Sequence, residues 1–474
     1  MSRRHRFSSS LAVAAGFAVL LPDGSPPLAA RPGPERPPAA PRNIVLMISD
    51  GCGFSQIEAA SLYEYGQTGR QPYESFPFRA SICTGSVETG PYDPKAAWSE
   101  FDWVRRKPTD SAAAATALAT GVKTHDAGIG VDTSGAPIAN ATEVAERRGK
   151  ATGVVTSVPL SHATPAGFVA HDRRRDDYEG IARQMLLRSR LEVIIGCGDP
   201  WWDDDGRRQE KPASFKYVGG RSVWEALQAG ATVFDTTGDG QPDVTIADAD
   251  GDAAPDPWTF VQSREEFRRL ADGPVPRRLC GVPQVGRTLQ ESRGGDRQAP
   301  PYAVPRAESL PTLAEMARAA LNVLDDDPDG FFLMIEGGAI DWACHDNSLS
   351  REIEEEIDFN GAVAAVVDWV ERRSSWDETL VVVTGDHETG YLTGPGSGPG
   401  KRPADPPVWK PLENRGRGNV PGHEWHATNH TNQLIPIFAK GPGIDRFEEA
   451  ADETDPVRGR YLDNAEVGAI LIGF

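Results

Sequence analysis

The sequence has 474 residues, enough for one large α/β domain with insertions or for two ordinary domains. With 39% hydrophobic and 25% charged residues, 49 Gly and 39 Pro, it describes a globular chain with many ordered loops and excludes a disordered or fibrous one. A formal net charge of -20 disfavours nucleic acid and anionic membrane surfaces as partners and suits a protein that gathers cations.

From its start, the basic head Met1-Ser-Arg-Arg-His-Arg ahead of the apolar run Leu11 to Leu21 reads as a secretory leader over residues 1–30. That run is too short to span a bilayer, and no later run reaches the roughly 18 apolar residues of a transmembrane helix, so a secreted or periplasmic protein without a membrane anchor is expected. Residues 31–42, rich in Pro, Ala and Arg, read as an extended linker. The folded domain is expected over 43–474. Five cysteines, Cys52, Cys83, Cys197, Cys280 and Cys344, are too scattered for a disulfide-built fold or a zinc knuckle.

Apolar runs of buried-strand length recur at Ile44–Ile48, Thr152–Val158, Val193–Ile195, Phe331–Ile335 and Leu380–Thr384. Helical patterns lie between them at Ala112–Ala119, Glu143–Arg147, Tyr178–Leu187, Leu310–Leu324 and Ile353–Glu371. This alternation predicts an α/β fold with a mostly parallel, doubly wound central sheet and helices on both faces. Chemistry in such sheets sits past the carboxyl ends of the strands. Directly after four of the runs come Asp50, His162 with Thr164, Glu336 with Asp341, and Asp386 with His387. The stretches 201–305 and 393–429, rich in Gly and Pro, read as surface insertions over the site.

Three motifs carry chemistry. In Lys107-Pro-Thr-Asp-Ser111, a turn leads into an alanine-rich helix that ends at Gly121. Ser111 thus sits where free N–H groups and the positive dipole end favour an alkoxide and a bound phosphate, although Thr109, Asp110 or Ser111 could equally be only a helix cap. In Glu336-Gly-Gly-Ala-Ile-Asp341-Trp-Ala-Cys-His345, Asp341 and His345 are four residues apart and share one helical face, so they can grip one ion. In Thr384-Gly-Asp386-His387, an acid and an imidazole follow an apolar strand, and the terminal Asp50 of the first strand could bridge two metals.

On these motifs, and in this order, the chain from about Asn43 to its end resembles the alkaline phosphatase family. The resemblance implies phosphate monoester hydrolysis at a nucleophilic serine, Ser111, with two zinc ions and a third, magnesium-type site. Carried over by motif, Asp341, His345 and His430 would hold the first zinc, Asp50, Asp386 and His387 the second, and Asp50, Thr164 and Glu336 the third ion. The family's substrate arginine, counted from His162-Ala-Thr164-Pro, falls on Arg175, with Arg173 and Arg174 as competitors. His423 and His426 compete with His430 in the same way. His162 and Trp342 replace an acid and a lysine of the best-known pattern, and an imidazole there would favour a softer divalent ion than magnesium. A homodimer is compatible with the resemblance. The rival readings are a phosphodiesterase of the same superfamily and a calcium-stabilised secreted binding protein with an inactive site.

Two acidic loops stand apart from these motifs. Asp235, Asp239 and Asp243, then Asp248, Asp250, Asp252 and Asp256, place oxygens at the spacing that calcium loops use, without the bidentate Glu of a full EF-hand. The competing reading is an acidic, turn-rich surface insertion.

Overall fold

The computed structural model describes residues 40–402 and 405–474. The leader over residues 1–30 and most of the linker lie outside the described residues. The main sheet has eleven strands, which we number along the chain: β1 Asn43–Ser49, β2 Phe78–Cys83, β3 Ala151–Pro159, β4 Val193–Cys197, β5 Thr259–Val261, β6 Leu279–Gly281, β7 Phe331–Gly337, β8 Thr379–Gly385, β9 Ile435–Lys440, β10 Glu453–Asp455 and β11 Gly459–Asp463. Their spatial order is β10-β11-β2-β9-β8-β1-β7-β3-β4-β6-β5. From β8 to β5 every neighbour is parallel. β9 then runs antiparallel to both β8 and β2.

All five expected strands and all five expected helices are present. The central strands are apolar at nearly every position because both faces are covered. In β1, Ile44, Leu46 and Ile48 join a core shared with the helices Ser111–Thr120 and Asn464–Ile472, while Val45 and Met47 join another with Leu313–Leu324 and Leu349–Arg373. Alternate side chains of one strand thus serve opposite helical layers.

The segment 201–305 departs from the expected surface insertion. It contributes β5 and β6, which complete one edge of the sheet, and a helix Arg264–Asp272 that buries Phe267 and Leu270. Sequence alone hid these strands because each is three residues long. Among its described residues, the stretch 393–429 is irregular apart from short pairings.

Candidate active site

Strands β8, β1, β7 and β3 are consecutive neighbours, and their carboxyl ends deliver Asp386 with His387, Asp50, Glu336, and His162 with Thr164 respectively. His430 reaches the same end because β9 is antiparallel, so the chain that enters it arrives where its neighbours leave. The helix Ala339–His345 follows β7 and carries Asp341 and His345. Gly51, in the turn after Asp50, has φ +75°, and a Cβ there would lie 2.6 Å from the Asp341 Cα. Only glycine lets these two acid-bearing segments approach so closely.

Hydrogen bonds set the tautomers of three imidazoles. His345 Nδ1 lies 2.6 Å from the Thr428 carbonyl and His430 Nδ1 2.7 Å from the Thr109 carbonyl. Carbonyls only accept, so each Nδ1 carries a proton. The two Nε2 atoms face each other at 3.1 Å, with Asp341 Oδ2 3.3 Å from one and Oδ1 3.5 Å from the other. Thr389 donates its hydroxyl to Asp341 Oδ1 at 2.6 Å, so at 3.2 Å it can only accept from His387 Nδ1. His387 Nε2 is thereby turned towards Ser111 Oγ at 3.1 Å, Asp386 Oδ2 at 3.2 Å and Asp50 Oδ1 at 3.7 Å.

This arrangement demands positive charge. Asp50 Oδ1, Asp386 Oδ2, Glu336 Oε1 and His162 Nδ1 are buried with no hydrogen-bond partner among the described residues. Burial, then the charges of Asp386, Asp341 and Glu336, push Asp50 well above the usual carboxylate range. Burial likewise lifts Glu336 to about 7 and Asp386 to about 6. Burial alone would lower His345, yet the hydrogen bond and charge of Asp341 raise it to about 9. A proton there does what a cation would do. Converging imidazole nitrogens, orphaned carboxylate oxygens and carbonyl-oriented rings form a donor set that could hold a divalent metal ion.

Two donor triads lie within 4.8 Å here: Asp341, His345 and His430, and Asp50, Asp341 and His387. The first is the expected set. In the second Asp341 stands where Asp386 was expected, so Asp341 lies between the two clusters. Thr164 donates to Asp50 Oδ2 at 3.3 Å, and Thr156 donates to Glu336. Glu336 and His162 are in neither triad. His162 stacks on Tyr178 and meets Trp342 edge-on at 5.5 Å, and burial followed by the Arg175 charge pushes it down to about 3.

Asp110, not Ser111, caps the helix: its Oδ1 accepts from Ala113 N at 3.0 Å. Its Oδ2 accepts from Arg175 Nη1 at 3.0 Å and from Ala127 N at 3.1 Å. Arg173 instead donates to the Ser134 carbonyl and Arg174 pairs with Asp176 in solvent, so the structure brings only Arg175 of the three to Ser111. A cleft of about 550 Å³ is lined by Ser111, Arg175, His162, His345 and His430, and also by Arg287, Glu291 and Arg297 from the 201–305 segment. His423 bonds the Pro421 carbonyl and His426 the Thr393 hydroxyl, away from this cleft. Sequence reasoning offered Asp110 as a cap but did not foresee its grip on Arg175, and it left Thr389, two residues beyond His387, without a role. Arg287 carried no local signal.

Of the acidic loops, Asp248, Asp250 and Asp256 come together, with the Arg277 guanidinium paired to Asp250 and Asp256. Asp235, Asp239, Asp243 and Asp252 join no such cluster among the described residues, and the acids of both loops accept from backbone N–H groups of their own loops. All five cysteines are free, and Cys52 donates to Glu356 at 3.5 Å.

The sequence model of a family described as alkaline phosphatase matches residues 41–407. Alkaline phosphatase 4 of Bacillus subtilis is 27% identical over 470 residues, covering 87% of each chain. Streptomycin-6-phosphate phosphatase of Streptomyces griseus is 28% identical, covering 88% of this chain and 89% of its own. Among solved structures, alkaline phosphatase from Thermus thermophilus superposes with a TM-score of 0.60 at 21% identity, covering 96% of this chain and 95% of that one. That from the Antarctic bacterium TAB5 gives 0.59 at 24%, covering 92% and 98%. The fold is theirs.

Proposed function

The chain belongs to the alkaline phosphatase family, and from that premise we propose that it is an exported enzyme that hydrolyses phosphate monoesters through a phosphoserine at Ser111. The observation that carries this reading is the uncapped Ser111 hydroxyl, 3.1 Å from His387 Nε2 at the head of a ten-residue helix and in one cleft with Arg175. Asp341, His345 and His430 would hold one zinc, and Asp50, Asp386 and His387 a second, with Asp341 close enough to serve both. Asp50, Thr164 and Glu336 would hold a third divalent ion beside His162, whose imidazole favours a softer ion than magnesium. When bound, these ions supply Lewis acidity and positive charge at the oxygens that gain charge in the reaction.

Arg175 Nε and Nη2 make no hydrogen bond to any described residue while Asp110 anchors Nη1, so the fork can take two non-bridging oxygens of the phosphoryl group. The N–H groups at the helix start add fixed positive dipole on the same side. Ser111 Oγ loses its proton and bonds to phosphorus as the bond to the leaving-group oxygen breaks, and that oxygen departs with a proton. Water then attacks the phosphoserine, its oxygen bonding to phosphorus as the bond to Ser111 Oγ breaks, which releases inorganic phosphate and restores the hydroxyl. Burial keeps His387 neutral, with Nδ1–H held by Thr389, so Nε2 stays a donor of electrons throughout.

Ser111→Ala is expected to abolish nearly all turnover of a chromogenic monoester while leaving bound metal, measured by elemental analysis, unchanged. Full activity in that variant, or faster hydrolysis of a diester than a monoester by the unaltered protein, would overturn the reading.

A further inference from the structure

The outer wall of the cleft contains an arginine that the proposed reaction does not use. Arg287 and Arg297 both come from the 201–305 segment and line the same cleft as Ser111 and Arg175. Their situations differ. Arg297 has both terminal nitrogens engaged, only its buried Nε lacking a partner among the described residues: Nη1 donates to the Glu291 carbonyl at 3.3 Å, and Nη2 pairs with the Glu291 carboxylate and with Asp346 at 2.7 Å. The remaining Glu291 oxygen accepts from Ser292 at 2.8 Å, and the Arg297 carbonyl from Ser348 at 2.8 Å. The acids of this wall are therefore already engaged, and its loop is tied down next to the helix that follows His345.

Arg287 is held from one side only. Its backbone N and its Nε each donate to Asp204 at 2.8 Å, an arrangement that fixes the guanidinium plane. Nη1 and Nη2 make no hydrogen bond to any described residue, and the side chain is 55% exposed. The cleft thus holds two guanidinium groups with free terminal donors: Arg175 beside the nucleophile and Arg287 at the mouth. A planar fork fixed from behind is suited to an oxyanion, phosphate or carboxylate, through parallel N–H bonds.

Resting on the monoesterase reading above, we infer that Arg287 binds a second anionic group on the leaving-group side of the substrate, which makes phosphate monoesters that carry a second phosphate or a carboxylate the favoured substrate class. The experiment is steady-state kinetics on three probes: 4-nitrophenyl phosphate, whose leaving group has no second anion, a sugar bisphosphate, and a phosphorylated carboxylic acid. In Arg287→Ala the KM for the two probes with a second anionic group is expected to rise about tenfold relative to 4-nitrophenyl phosphate, the loss of a charge-assisted contact, with kcat ratios unchanged. Arg287→Lys should recover only part of it, since an ammonium cannot reproduce the fork. Whichever of the two anionic probes shifts more identifies the anion. KM ratios that stay the same in Arg287→Ala would overturn the inference and leave the phosphatase reading standing. Failure of the unaltered protein to hydrolyse any of the three would overturn both.

Discussion

Asp110 does two jobs with two oxygens. One caps the helix through Ala113, which releases the Ser111 hydroxyl from that duty, and the other anchors Arg175. Asn is as good a cap as Asp but lacks the charge, so Asp110→Asn separates the roles. It is expected to lower kcat/KM on a monoester by roughly 10- to 100-fold through a loosened Arg175, the worth of a charged hydrogen bond, with a small loss of melting temperature from the Ala127 N–H left without its acceptor. Asp110→Ala should add a stability loss of about 1 kcal/mol from the missing cap. An unchanged kcat/KM in Asp110→Asn would break the link between the two residues. The same economy of contacts explains why Arg173 and Arg174, chemically identical to Arg175, are not in the cleft: their partners are Ser134 and Asp176.

At the scale of elements, the helix Leu349–Arg373 backs the site with Glu352, Glu354, Glu355 and Glu356, all buried. Glu356 accepts from Ser49 Oγ at 2.7 Å and Tyr73 OH at 3.1 Å, which ties the last residue of β1, the one before Asp50, to the helix. Glu354 pairs with Arg293 at 2.7 Å. Glu352 has neither oxygen hydrogen-bonded among the described residues, and burial, then the Glu356 charge, push its carboxyl well above the ordinary value of 4.5. A carboxyl raised on folding contributes stability below its unfolded value, and that contribution is lost as pH rises through the folded one. Glu352→Gln, uncharged at every pH, is therefore expected to melt like the unaltered protein near about pH 5 and to be more stable by about 1–3 kcal/mol near about pH 9. Thermal unfolding across that range checks it, and a difference that did not change with pH would contradict a neutral buried carboxyl.

Across the whole molecule, the donors come from segments as distant as Asp50 and His430, and the unfolded chain cannot assemble them. An ion that binds only the folded state must then stabilise it. Stripping divalent ions with a chelator is expected to lower the melting temperature by roughly 5 °C or more, and zinc with magnesium should restore it. Equal melting with and without chelator would argue against resident metals. The alternation of strands and helices, the acids and imidazoles at strand ends, and the Thr-Asp-Ser turn are local properties of the sequence, because periodicity and turn chemistry depend on residues a few positions apart. They sufficed for the doubly wound class and pointed to Ser111, Asp341 and His345, whereas Arg175 and His430 came from the family resemblance. Neighbourhood was not local. That β8, β1, β7 and β3 lie side by side, that Asp341 stands between both triads, and that Arg287 from a presumed surface insertion reaches the cleft all depend on pairing and packing between segments distant in the sequence. Only the packed chain decides such pairings, since the energy that selects them resides in contacts that no short window of sequence contains.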